Sequence, residues 1–290
     1  MFWLNKDNGE KMKIIKLFII FIILFSIQLF ANEKIEIEDG HYGEAFWDGN
    51  TFVQKTVDAS NLEENKIKAF VDGEWQEFEL TNFPEIFMTW NIKERVGTLD
   101  GIIKGEMPNL EGPHNAIVAT HGYRREDTKF RVNNAIKGCG FLPKREKIKE
   151  INLMLAETDT IHFMKKLEIL TGMYEKADSL FDLNKQISLE LYANPERGTQ
   201  TFLNQMTNPT SVLVFMAIPT FKLKTIAYLL HPENPELTDY EKDVVEYINR
   251  IHSYFHGEFS QDFIAVIYNV IEVYNSSPGN ENGRGTLIVP

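Results

Sequence analysis

Lys66-Ile67-Lys68-Ala69-Phe70-Val71-Asp72-Gly73-Glu74-Trp75-Gln76-Glu77-Phe78-Glu79-Leu80 decides how the first half of the chain is read. Ile67, Ala69 and Val71 alternate with charged or aromatic neighbours, and Gln76, Phe78 and Leu80 mirror them after the Asp72-Gly73 pair. Period-two alternation on both sides of Asp-Gly is the strongest local signal for a β-hairpin, because the favoured two-residue turn needs positive φ at both central positions. Phe46-Trp47-Asp48-Gly49-Asn50-Thr51-Phe52-Val53 repeats the arrangement. Residues 86–92, 101–105 and 115–120 read as further strands, so residues 32–142 form a β-rich portion. The hairpins do not recur at a fixed period, which excludes a repeat array.

From Lys144 the period changes. Ile148, Ile151 and Leu155, with Asn152 and Met154, fit a helix that opens with basic residues. Phe163, Leu167 and Leu170 fit a second helix over residues 161–173. Residues 187–192, 211–218 and 221–230 are rich in β-branched and aromatic side chains and read as strands, the middle one bounded by Pro209 and Pro219. Thr238 with Glu241 forms a capping box, and Gly257 suits the end of a helix over residues 238–256. Asp239, Glu241 and Asp243 sit near its positive end, and Tyr240, Val244, Ile248, Ile251 and Phe255 share one face. Residues 263–274 are apolar on both faces, as a central strand would be. The expected fold class is α+β, with the β-rich portion followed by a mixed portion at 143–277 and a turn-rich tail at 278–290.

Ahead of these lies Lys11-Met12-Lys13-Ile14-Ile15-Lys16, an apolar run over residues 17–30, and then Ala31-Asn32-Glu33. A cationic start, an apolar core and a small residue before a polar stretch make the three-part pattern of a secretory signal. Fifteen residues from 17 to 31 span about 22 Å as a helix, short of a ~30 Å hydrocarbon core. We therefore expect cleavage after Ala31 and a secreted or periplasmic product; left uncleaved, the same segment would be a membrane anchor. Removing residues 1–31, with four lysines and two acids, takes the net charge from −12 to −14. That balance disfavours nucleic acid, whose binding needs a surplus of Lys and Arg. The single cysteine, Cys139, excludes an internal disulfide and cysteine-rich zinc sites.

The densest chemical feature is Thr120-His121-Gly122-Tyr123-Arg124-Arg125, followed by Lys129, Arg131, Lys137, Lys144, Arg145, Lys147 and Lys149. Nine cations against Glu126, Asp127 and Glu146 over residues 124–149 give a local charge of +6 in an acidic chain. Arg124, Arg125, Lys129 and Arg131 are the candidate contacts for a small anionic ligand, phosphate or carboxylate, since Arg offers bidentate geometry to both. The alternative is that these cations are solvated or pair with the chain's own acids. His252 and His256 lie one helical turn apart at the rim of an apolar face and are candidate metal ligands, with Glu258 as a third. Rim histidines more often only pack. His121, near Arg124, is the candidate general base. His114 flanks the same expected strand about 23 Å away, too far for a shared metal. Cys139, between Gly138 and Gly140, reads as a tight packing point before it reads as a nucleophile. Trp47, Trp75 and Trp90 read as core residues before they read as stacking platforms for a ligand.

Residues 198–208 with Pro209, then the strands over 211–218 and 221–230, resemble the helix, Asn-Pro and paired-strand order of flavin-binding split barrels. The resemblance covers about thirty residues. The Gly-containing hairpin that precedes this order in that family has no counterpart here, so no flavin phosphate site is carried over and the cofactor is unknown. Three function classes stay open: a binder of a small anion, a metal-assisted or His-dependent enzyme, and a structural or partner-binding envelope protein. For the leading segment the expectation is direct. N-terminal sequencing of protein from intact cells should begin at Asn32, and a soluble cytosolic product beginning at Met1 or Met12 would refute the export reading.

Overall fold

The computed structural model describes residues 46–288 apart from Asn109, all within one compact unit. The expected signal segment, residues 1–31, lies outside the described residues. Strands β1 (Val57–Asp58), β2 (Lys66–Val71) and β3 (Glu74–Glu79) form a three-stranded sheet. Asp72 and Gly73 adopt φ of 54° and 91°, and the hairpin closes with Val71 opposite Glu74 and Ile67 opposite Phe78. Val57, Ile67, Ala69 and Val71 bury against Ile226 of a second, larger sheet, while Trp75 stays 41% exposed. Around Asp48-Gly49 only a bridge between Asp48 and Thr51 forms. There the flanking Trp47 and Phe52 turn inward onto Phe202 and His231, at ring separations of 5.4 to 5.6 Å, and aromatic burial replaces a strand ladder.

The larger sheet is antiparallel throughout. It comprises β4 (Asn115–His121), β5 (Val132–Gly138), β6 (Gly140–Pro143), β7 (Phe181–Glu190), β8 (Thr210–Phe215), β9 (Phe221–Leu230) and β10 (Ile264–Asn275), ordered β5-β4-β8-β9-β10-β7-β6. β11 (Thr286–Ile288), within the segment read as a tail, adds to β10. β5 and β6 stand at opposite ends of that order, yet only Cys139 separates them in the chain. Two Cα steps reach about 7.6 Å. The sheet must therefore curl until its ends meet at Cys139. Lys137 of β5 crosses this seam to Glu190 of β7 at 2.6 Å, in a pair that is largely removed from water.

Besides the hairpin read over residues 46–53 and the core position read for Trp75, a third expectation is corrected. Residues 86–92 and 101–105 are not strands but parts of a single helix, α1 (Glu85–Ile103). Phe87, Asn91, Arg95 and Leu99 recur every fourth residue and are all buried, which is a helical stripe. Two of the four are polar, so the stripe does not show as hydrophobic periodicity, and Ile86 and Ile92 lend the segment a strand-like composition. Phe87 and Trp90 pack between Phe215 and Phe221 at ring separations of 5.1 to 5.8 Å, anchoring α1 to β8 and β9. β5 and β6 lack an expectation from sequence, because Asn133-Asn134 and the two glycines interrupt the alternation.

The remaining helices are α2 (Ile148–Glu157), α3 (Phe163–Glu175), α4 (Ala177–Leu180), α5 (Gln200–Thr207) and α6 (Asp239–His256). Those expected from residues 148, 161 and 238 onward all form. β10 is buried through its first seven residues between β9 and β7, as its two-faced apolarity requires. The strand expected at 187–192 is the later part of β7. The fold is thus α+β, and one hydrophobic cluster takes Phe87 and Val118 from the first portion and Leu167, Phe202, Val244 and Tyr268 from the second. Among the described residues no helix is long and apolar enough to cross a membrane.

Thr238 accepts from the Glu241 amide at 3.3 Å, and Glu241 accepts from the Thr238 amide at 2.8 Å, so both partners of the capping box are made. Thr238→Ala should lower unfolding stability by about 1 kcal/mol, with an unchanged slope in urea titration. A loss indistinguishable from zero would mean that tertiary packing alone fixes the start of α6.

Candidate functional site

The stripe that α1 buries ends on the seam of the curled sheet, and its central residue is charged. Arg95 is 0% exposed. Its Nε donates to Asn91 Oδ1 at 2.7 Å, and Nη2 donates to the Pro113 and Cys139 carbonyls at 2.7 and 3.0 Å. Nη1 reaches His114 Nδ1 at 3.3 Å and the Tyr174 hydroxyl at 3.4 Å. The guanidinium also lies 5.0 Å from the Phe141 ring centre and 5.3 Å from that of Tyr174. All five N–H groups are engaged, and every acceptor is neutral.

Beside Arg95 is a cavity of about 200 Å³ enclosed by α1, α3, α6 and the seam residues Gly138 to Phe141. Its walls are mostly Leu99, Ile102, Leu170, Met173, Ile187 and Ile251, and Pro108, Gly138 and His256 are exposed at its mouth. Among the described residues no Asp or Glu lines it. Because arginine only donates, His114 Nδ1 must be the bare acceptor and the neutral ring carries its proton on Nε2. Burial, reinforced by the Arg95 charge, pushes His114 down to about 3, which keeps it neutral. His252 Nδ1 lies 2.7 Å from the Ile248 carbonyl and therefore holds the proton, leaving Nε2 as an acceptor. Burial pushes His252 down to about 4. A Cβ on Gly138 would sit 3.9 Å from that Nε2, which places the ring against the seam. The Tyr247 hydroxyl, on the same helix, forms no hydrogen bond with another described residue, and burial raises its pKa, keeping it protonated.

The residues singled out from sequence divide sharply. His114, His252 and His256 converge on this cavity from both portions of the chain. Glu258 does not: it lines a separate depression with Asp159, Glu246 and Asp262. Among the described residues no group of three or more His, Cys, Asp or Glu side chains is placed to hold a metal. His121 is exposed and faces a shallow groove over β8 and β9 with Lys224 and Glu272. Arg124, Arg125, Lys129 and Arg131 lie in the loop after β4, away from the cavity lining. Arg125 forms a bidentate pair with Asp127, and Arg131 donates to the Gly122 carbonyl at 2.9 Å. Downstream, Lys137 pairs with Glu190, Arg145 with Glu63, Lys147 with Glu150 and Lys149 with Asp243. Much of the basic run is thus matched by the chain's own acids. Cys139 is buried, its thiol pushed up to about 12 by burial, which suppresses the nucleophilic thiolate. Arg95 escaped the sequence reading; the four-residue spacing of 87, 91, 95 and 99 was the signal that could have found it.

No family model matches the chain, and no curated protein matches it. Among solved structures, a protein from Clostridium acetobutylicum related to general stress protein 26 of B. subtilis, of the pyridoxinephosphate oxidase family, is similar at 10% identity. The match covers 69% of this chain and 96% of that one with a TM-score of 0.30, a degree of likeness that carries no argument about activity.

Two half-buried neutral imidazoles make stability depend on pH. Both folded values lie below the unfolded value of 6.5, so the folded state binds fewer protons and loses stability as pH falls from 6.5 toward about 4. Each ring contributes a slope of up to about 1.4 kcal/mol per pH unit. Urea midpoints should drop between pH 6.5 and 5, and His252→Gln should flatten that drop; an unchanged slope in the variant would show that His252 is not held neutral by the fold.

Proposed function

We propose that the protein binds a small, largely apolar organic molecule in the cavity enclosed by α1, α3, α6 and the sheet seam. The observation that supports this most directly is an apolar-walled space with a few polar groups at fixed positions, the usual form of a small-molecule site. Apolar cavities of ~150 Å³ admit benzene, whereas drug-sized ligands occupy ~300–1,000 Å³. At about 200 Å³ this cavity suits a ligand slightly larger than benzene. His252 Nε2 and the Tyr247 hydroxyl would orient it, and His256 stands at the entrance. Binding is favoured over nucleophilic turnover because the cavity's one thiol, Cys139, is kept protonated and donates to the Lys137 carbonyl at 3.6 Å. With residues 1–31 acting as a signal, the site would operate outside the cytoplasm.

Calorimetric or ligand-observed NMR titration with benzyl alcohol tests the reading. Saturable binding is expected in the wild type, and Ile251→Trp should weaken it by on the order of tenfold by filling the space, with the far-ultraviolet dichroism retained. Equal affinity in the variant would place the ligand elsewhere.

A further inference from the structure

The hydrogen-bond balance around Arg95 is uneven. Asn91 Oδ1 and His114 Nδ1 both accept from the guanidinium, which fixes the orientation of each side chain. Each is thereby left with a donor turned away from Arg95. Asn91 Nδ2 and His114 Nε2 are buried and have no acceptor among the described residues. The cavity wall therefore holds a full positive charge at Arg95 and one unmet donor, His114 Nε2, whereas Asn91 lies outside that wall; among the described residues no carboxylate partners Arg95 or lines the cavity. Folded chains meet nearly all buried donors and pair nearly all buried charges, because a group left unmet in a medium of low polarity is costly.

We infer that the ligand of this cavity is a small apolar monocarboxylate whose anionic group lies at the Arg95–His114 end and whose hydrocarbon body fills the apolar remainder. This rests on the cavity reading above and specifies its chemistry. A carboxylate supplies the one negative charge that the wall lacks and an acceptor oxygen at its polar end. Tyr174 holds the longest of the five contacts to Arg95, 3.4 Å, and is the partner an incoming oxygen would displace most readily. Phosphate suits the site less well. Its second charge and three oxygens would meet a single cation in a space otherwise walled by aliphatic and aromatic carbon. An apolar body with one carboxylate matches both ends.

The test compares benzoate with benzyl alcohol, probes of similar size and different charge, by calorimetry on the full chain at pH 7. Benzoate should bind on the order of tenfold more tightly than benzyl alcohol. Replacing Arg95 itself risks the fold, so the diagnostic variant is Asn91→Asp, nearly isosteric and already in contact with Arg95 Nε. It plants the missing counter-charge inside the chain, and the benzoate preference should fall to about twofold or less. Similar affinities in the wild type would overturn the carboxylate assignment while leaving the cavity reading intact. A preference undiminished in Asn91→Asp would equally overturn it, since the anion would then be recognised by something other than Arg95. If neither probe binds, the cavity reading falls and this inference falls with it.

Discussion

The crossing at Cys139 is the constraint from which the rest of the architecture follows. A sheet whose first and last strands are joined by one residue has no freedom to lie open, and the chain at the join cannot remain in either ladder. Its backbone groups need partners elsewhere. The Cys139 amide finds the His114 carbonyl at 2.7 Å, and the Cys139 carbonyl finds Arg95. Gly140 permits the close approach: a Cβ there would lie 3.3 Å from Ile187 Cγ1, tighter than ordinary packing. α1 is held over the seam by this guanidinium at one point and by Phe87 and Trp90 on Phe215 and Phe221 at another.

The same device borders the cavity. An aliphatic side chain at position 95 could fill space but could not satisfy two carbonyls, an amide oxygen, an imidazole and a phenol. A guanidinium satisfies all five with a planar fork. The resulting electrostatics are consistent. The buried cation disfavours a second positive charge on His114, desolvation does the same to His252 farther along the wall, and both rings persist as neutral hydrogen-bonding groups. The site is thus positive once, at Arg95, and otherwise neutral.

Much of the fold was legible from local pattern. The Asp72-Gly73 turn, the Thr238–Glu241 cap and the two-faced apolarity of β10 each rest on a rule that acts over a few residues. α1 was hidden because its buried stripe runs through Asn91 and Arg95, and Lys93-Glu94-Arg95 looks like a solvated surface. The site was half legible for the same reason. The spacing of His252 and His256 drew attention to the face of α6 that lines the cavity, but their meeting with His114 depends on how the sheet rolls, which no local spacing encodes. The basic run shows the opposite relation between local sequence and folded surroundings. Its charge density is real, but Glu190, Glu63 and Asp243, which meet Lys137, Arg145 and Lys149, lie far away in sequence. A charge count along the chain cannot see partners that folding supplies.

Arginine at position 95 is also the only common side chain able to serve both the fold and the site. Lysine carries the same charge but three donors on a flexible stem, so at least two of the five acceptors would go unmet in a dry interior. The aromatic faces of Phe141 and Tyr174 add to the preference for a flat, weakly hydrated cation. The requirement to close the seam therefore already selects arginine, before any ligand is considered. What seam closure does not require is that every partner be neutral: a carboxylate at position 91 would accept the same hydrogen bond and cancel the charge. The presence of Asn91 instead leaves the cation uncompensated, and that choice, unlike the arginine itself, has no explanation in the packing of the chain alone.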